Sequence, residues 1–349
     1  MLKSIEFKKS SQQLISKKEG TSTLENLREL SAHIVKDISE RLNMSERALL
    51  LGISTPGVAG SLSDNLLKKT MQLFIIEPDA ILFSKGIEEQ NEKNLPKNRM
   101  ILYSINPTDL MLNPEIAEKI VTQTNISCYK DYCQTEQRIA LASKEHPFIE
   151  NESVDLCIMD LMTNRFDVSD FKKILKESFR TLRKNGKLIL TAILTDEPII
   201  KSFILKSEEL NLPYFLPENE LSVHLEKTGY HGITYKPLSE MPLIVVDGIE
   251  LRYFVLEAFK GKQGPCFDQG HAVFYLGPWK EVIDDDEHSY KRGQRTAVCE
   301  KTYRILTQEP YADQFIGIPP YELTPLDLAP LFDCHTPLIR DPKITKEKR

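Results

Sequence analysis

Between residues 154 and 194 the chain leaves little choice of local structure. "VDLCIMDL" is a mostly apolar run, interrupted by Asp155 and Asp160, with the texture of a buried strand. "DVSDFKKILKESFRTLRKNG" has the three- and four-residue apolar spacing of an amphipathic helix and ends in Asn185-Gly186, a sequence suited to a left-handed helix stop. "KLILTAIL" follows at once as another strand. Strand, helix and strand in direct succession give parallel strands joined by a crossover helix. Earlier pieces extend the pattern: "RALLLGI", "QLFIIE" and "NRMILYSI" read as strands, and "PEIAEKIVTQTN" and "PENELSVHLEKTGY" as helices. A further helix is expected over "TSTLENLRELSAHIVKDISERLNMS", where Leu24, Leu27, Leu30, Ile34, Ile38 and Leu42 make one stripe after a start at Thr23. The expected fold class is α/β, a Rossmann-like doubly wound and mostly parallel sheet.

From about residue 240 the texture changes. "LIVVDGIELRYFVLEAF", "HAVFYLGPWKEVIDD" and "QRTAVCEKTYRILT" are β-branched and aromatic, with Gly, Pro and Asp turns between them. This predicts a smaller β-rich α+β domain at the C-terminal end. The expected boundaries are a flexible arm over 1–20, the Rossmann-like domain over 21–238, the smaller domain over 239–322 and an extended proline-rich tail over 323–349.

Composition removes several classes of function. A net charge of -6 over 349 residues argues against a general nucleic-acid binder. No apolar run reaches 18 residues, so no membrane span is expected, and the lysine-rich N-terminus lacks the apolar core of a secretory signal. A cytoplasmic location follows as the expectation. There six cysteines without a CxxC pair are expected to be reduced thiols. Cys128 and Cys133 are five apart, not a zinc spacing.

One stretch raises a question of chemistry. "RALLLGISTPGVAGSL" stands where a nucleotide-binding sheet carries its glycine turn, but between Gly52 and Gly57 the chain has Ile53, Ser54, Thr55 and Pro56. Ile53 and Pro56 crowd such a turn, and Pro56 lacks an N–H. Ser54 and Thr55 offer hydroxyls in exchange. Glu77, ending "FIIE", is the right type of residue to accept from the two hydroxyls of a ribose, although its spacing from Gly52 is long. A strand-turn-helix with no ligand remains the other reading of the stretch.

The region from Ser153 to Leu194 resembles the second half of a class I S-adenosylmethionine-dependent methyltransferase. Ser153-Val154-Asp155-Leu156 stands for the start of the family's fourth strand, and Arg180 to Gly186 for its "RvLkpGG". Leu251–Leu256, Cys266–Val273, Ile283–His288 and Val298–Thr302 are similar, in the same order, to the C-terminal domain of arsenite methyltransferases. The resemblance implies S-adenosylmethionine as cofactor, a small-molecule substrate, and in-line methyl transfer that needs no catalytic dyad. Carried onto this chain it gives Gly52, Ser54, Gly57, Glu77, Asp131 and Asp160 as cofactor-binding residues. It gives Cys266, Cys299 and His271 as substrate-binding residues for an arsenical or another soft nucleophile. Packing accounts as well for Cys299, a structural hydrogen bond for His271, a surface loop for Asp131 and a solvated acidic turn for "DDDEH". The family's cysteine after the fifth strand is missing from "SEELNLPYFL", and no cysteine precedes Cys128. The alternative is a non-catalytic methyltransferase-like subunit with a protein partner or as a homodimer.

Overall fold

A computed structural model describes residues 3–6, 46–53, 67–68, 70–199, 203–206, 211–235, 241–334 and 338–346. The helix expected over 21–45, and Ser54 and Gly57, lie outside the described residues. The strands are β1 (Lys3–Glu6), β2 (Glu46–Leu51), β3 (Thr70–Ile76), β4 (Met100–Tyr103), β5 (Val154–Asp160), β6 (Leu182–Thr195), β7 (Phe203–Lys206), β8 (Asn211–Leu212), β9 (Tyr230–Tyr235), β10 (Ile244–Val246), β11 (Ile249–Lys260), β12 (Ala272–Tyr275), β13 (Glu281–Ile283), β14 (Ser289–Lys291), β15 (Arg295–Ala297) and β16 (Phe315–Ile318). The described helices, numbered here in chain order, are α1 (Ala80–Glu92), α2 (Pro114–Thr122), α3 (Tyr129–Glu145), α4 (Met162–Arg165), α5 (Val168–Thr181), α6 (Glu218–Thr228) and α7 (Glu300–Leu306). The chain divides into two compact units, one of residues 1–228 and 235–257, the other of 229–234 and 258–349.

The first unit is built on a sheet whose order runs β10-β11-β6-β5-β2-β3-β4, with β4, β3, β2, β5 and β6 parallel. Strand β2 is central. Leu49, Leu50 and Leu51 are buried on both faces, and that is why the sequence shows an unbroken apolar run rather than alternation. Helix α5 turns Phe171, Ile174, Leu175 and Ser178 inward, and Asp167 caps it by accepting from the Asp170 N–H. The helix ends at Thr181, four residues before Asn185-Gly186. Leu182 is already extended and paired with Val154, and the left-handed Asn185 (φ +63°) sits in an irregular stretch within β6. The Asn-Gly is therefore a turn inside a strand and not the helix stop. Gly229, at φ +107°, does close α6.

Two expected boundaries move. Lys3–Glu6, inside the expected arm, pairs in parallel with β7. Residues 241–257, expected in the smaller domain, belong to the first unit, because β10 and β11 form a hairpin through Asp247-Gly248 that joins its sheet.

In the second unit β12 lies between β15 and β16, all antiparallel, and β13–β14 forms a separate hairpin. Val273, Tyr275, Tyr290, Val298, Leu306 and Phe315 make its core. The segment "VCEKTYRIL" becomes helix α7 rather than more strand, capped by Cys299. Among the described residues no helix is long and apolar enough to cross a membrane.

The cap of α5 is open to a direct check. Asp167→Ala should lower unfolding free energy by about 1 kcal/mol and Asp167→Ser should restore most of it. Equal urea midpoints for the two variants would show that the cap hydrogen bond contributes nothing.

Candidate functional site

Open parallel sheets take ligands beyond the carboxyl ends of their strands, where the strand order reverses. Here the chain leaves β2 for β3 and β4 on one side and returns to β5 on the other, so the reversal lies between β2 and β5. Five residues meet there. Gly52 leaves β2 and donates its N–H to the Ile76 carbonyl at 2.9 Å. Glu77 follows β3, Asp160 ends β5, and Met162 and Arg165 belong to α4 directly after it. Leu161 turns the chain from β5 into α4 in a left-handed conformation (φ +53°).

Glu77 is fully buried, and donors from the protein surround it. Its Oε2 accepts from the Ile53 N–H at 2.7 Å and from Arg165 Nη1 at 3.0 Å. Its Oε1 accepts from the Asp79 N–H at 2.7 Å and from Arg165 Nη2. The carboxylate thus receives two backbone amides and a bidentate guanidinium, the strongest kind of side-chain pairing. A ribose diol finds the right acceptor here, but both oxygens are in use. The space over Gly52 is filled as well. A β-carbon added there would overlap Met162 Cε and stand 2.8 Å from the Asp160 carbonyl oxygen. Ile53 does not block the crevice; it is buried in the core, and a β-carbon on Gly86 would lie 3.1 Å from its Cδ1. The residues therefore fit a nucleoside by type and position, and accommodate one only when Arg165 and Met162 move.

Asp160 is buried and accepts from Thr191 Oγ1 at 2.8 Å. Asp131 is elsewhere. The expectation sets it after the third strand of the sheet, but that strand, β4, ends at Tyr103 and α2 intervenes. Asp131 lies in the first turn of α3, where it accepts from the Ser127 hydroxyl and from the N–H groups of Ser127 and Cys128. These hydrogen bonds hold its carboxyl below the usual range. It is a helix-capping residue.

In the second unit Cys266 and Cys299 come together and Cys334 joins them. Their three sulfurs all lie within 4.8 Å of one another, and all three cysteines are free. Burial works against a charge on Cys266. Hydrogen bonding from Cys334 and Cys299 and the nearby Lys301 ammonium outweigh it, so this thiol sits below its ordinary range. Burial pushes Cys299 and Cys334 up. An open cavity of about 430 Å³ is lined by Cys266, Cys334, His288, Lys301 and Thr302. The "DDDEH" turn above it is organised by Asp284, whose carboxylate accepts from the backbone N–H groups of Asp286 and His288 and from the Tyr290 hydroxyl and pairs with His288 Nδ1.

His271 is not among the residues lining that cavity. It is buried against Tyr303, with ring centroids 4.3 Å apart, and burial lowers its pKa. His231 is more confined, 3% exposed beside Phe259 and Tyr311, and neither ring nitrogen has a partner among the described residues. Burial, with Lys262 nearby, lowers its pKa to about 4.

The sequence alone did not single out Arg165, Met162 or Cys334. Arg165 had one signal, a lone base just after one strand end facing a lone acid just after another. Cys334 had none beyond being a cysteine.

The strand order defines a Rossmann-like α/β domain with a mostly parallel sheet. A family model described as a domain of unknown function, DUF8838, matches residues 262–349. The solved structures similar to the chain include an arsenic(III) S-adenosylmethionine methyltransferase from Chlamydomonas reinhardtii. It is 13% identical, with 93% of this chain and 100% of that chain covered and a TM-score of 0.43. A SAM-dependent methyltransferase from Aquifex aeolicus is 16% identical, with 69% and 99% covered and a TM-score of 0.39. One from Methanosarcina mazei is 16% identical, with 64% and 96% covered and a TM-score of 0.42. No curated protein matches the chain in sequence.

Two outcomes follow from this geometry. Gly52→Ala should cost about 2–5 kcal/mol of stability, from strain at φ +91° and from overlap with Met162 and the Asp160 carbonyl. A loss under about 0.5 kcal/mol on denaturation would show that the space over Gly52 is free. His231 is neutral in the fold, and the unfolded chain takes up its proton first as pH falls. The stability it contributes is complete above pH 6.5 and is lost as pH drops towards 4, by roughly 3 kcal/mol. Wild type and His231→Phe, compared by urea melts between pH 7 and 4, should diverge in that sense; parallel curves would contradict it.

Proposed function

We propose that the chain is an S-adenosylmethionine-dependent methyltransferase for a small, soft nucleophile, and that the cofactor is admitted by exchange with Arg165. Glu77 carries this reading, as a buried carboxylate at the strand-order reversal, one strand from Gly52. The Arg165 guanidinium offers it two side-by-side N–H donors, much as a ribose offers two hydroxyls. Arg165 thus occupies the acceptor as a diol would. Arg165 is 10% exposed and sits on a four-residue helical turn, so its side chain can leave without unfolding an element.

When bound, the cofactor supplies a methyl group already activated by its sulfonium. The chain's own part is to place the reactants. Gly52 gives close backbone approach and Glu77 orients the ribose. By the resemblance, the substrate is a small, soft nucleophile such as an arsenical, of the class that prefers sulfur donors.

One observation favours a second reading. Ile53, Asp79 and Arg165 already occupy both carboxylate oxygens of Glu77, and the sequence lacks the middle glycine of a cofactor turn. A chain that keeps Arg165 in place permanently would be a methyltransferase-like subunit without cofactor.

Calorimetry with S-adenosylhomocysteine separates the two. On the first reading the wild type binds, Arg165→Ala binds roughly tenfold more tightly because the competing group is gone, and Glu77→Gln loses binding. No heat from wild type or Arg165→Ala at millimolar ligand, with both folded, would overturn the enzyme reading.

A further inference from the structure

The three thiols of the second unit stand on three separate segments. Cys266 is in the loop after β11, Cys299 caps α7, and Cys334 lies beyond β16 in the C-terminal stretch. Backbone hydrogen bonds lace those segments together. The Cys266 carbonyl accepts from the Phe332 N–H at 2.9 Å, the Phe267 carbonyl from the Glu300 N–H at 3.1 Å, and the Pro330 carbonyl from the Asp268 N–H at 2.8 Å. Arg340, 7% exposed, ties the end of the chain to the same loop through both oxygens of Asp268, at 2.7 and 3.1 Å. The sulfurs are thus brought together by the fold. None of the three is in a disulfide.

We propose that Cys266, Cys299 and Cys334 form a binding site for a resident thiophilic divalent cation of the zinc type, with its remaining position open to the adjoining cavity. The donor chemistry supports this. Three cysteine sulfurs select zinc and softer ions over magnesium or calcium. At a metal–sulfur distance of about 2.3 Å, a tetrahedral ion sets its sulfurs about 3.8 Å apart. Sulfurs already within 4.8 Å reach that spacing by closing about 1 Å or less. Charge balance is available too, since three thiolates and a divalent ion leave one negative charge beside Lys301, whose Nζ is anchored 2.9 Å from the Gly264 carbonyl oxygen. Binding displaces a proton from each thiol that is not already ionised, and those protons go to solvent. The Cys266 and Cys334 side face the cavity with His288 on its wall, which leaves room for a water or a ligand side chain in the fourth position. The site lies wholly within the second unit and does not depend on nucleoside binding by the first.

The test is titration of the reduced, metal-stripped, full-length protein with Co²⁺, followed by displacement with Zn²⁺. The expected result is one equivalent of Co²⁺, with thiolate-to-cobalt charge transfer and tetrahedral d–d bands, bleached by one equivalent of Zn²⁺. Cys334→Ser and Cys266→Ser should each weaken Co²⁺ binding by more than about tenfold and reduce the charge-transfer intensity. Their metal-free melting temperatures should stay near that of wild type, separating a lost ligand from a lost fold. Variants that bind Co²⁺ as wild type does, or wild type without a charge-transfer band at millimolar Co²⁺, would overturn the site. Arsenite bound at lower concentration than zinc would also overturn the resident-ion reading and make the thiols a substrate site.

Discussion

Much of the carboxyl end of the first unit's parallel sheet depends on one buried carboxylate. Glu77 accepts the N–H of Ile53, so it sets the path of the chain as it leaves β2. It accepts the N–H of Asp79, which in turn caps α1. It pairs with Arg165, so it also holds α4 against the end of the sheet. Removing one partner of such a pair leaves a buried charge and costs about 3–5 kcal/mol. On the proposed reading a nucleoside that displaces Arg165 answers the carboxylate with hydroxyl donors and offsets the lost cation with its other contacts.

The second unit is held on a different principle. Its core is small, led by Tyr275, Tyr290 and Phe315, and among the described residues after β16 there are only turns, bends and isolated bridges. Specific polar ties hold that end of the chain in place, Arg340 to Asp268 foremost. The three sulfurs sit among those ties, so an ion there would bind the two ends of the unit's chain together in the manner of a staple. Small cores often need one.

The parts of this structure that a sequence reader can recover are those set by neighbours in the chain. Leu49 to Leu51 and the Phe171–Ile174–Ser178 stripe follow from periodicity, because burial on one or both faces writes itself into spacing. Asn185-Gly186 misleads, because the dipeptide marks a left-handed backbone without saying whether a helix or a strand contains it. The bond between Glu77 and Arg165 spans 88 residues and exists only because β2, β3 and β5 have the register they have. The meeting of Cys334 with Cys266 likewise follows from how the last segment lies along the 266–268 loop, which no local pattern encodes. Glu77 is legible as an acid at the end of a strand, from the strand-turn-helix-strand pattern alone. Asp131, assigned by the resemblance to a methyltransferase family, belongs to a helix start, because the chain inserts α2 before it.

The central claim is that Glu77 holds Arg165 in the ligand-free protein and gives it up to a nucleoside. The guanidinium resonances of Arg165, assigned by comparison with Arg165→Lys, test it most directly. The account predicts a slowly exchanging, resolved signal in the free protein, typical of a buried ion pair. Saturating S-adenosylhomocysteine should convert it to the fast-exchanging signal of a solvated arginine. A signal that stays slow and unshifted at saturation, or that is already solvent-like without ligand, contradicts the account.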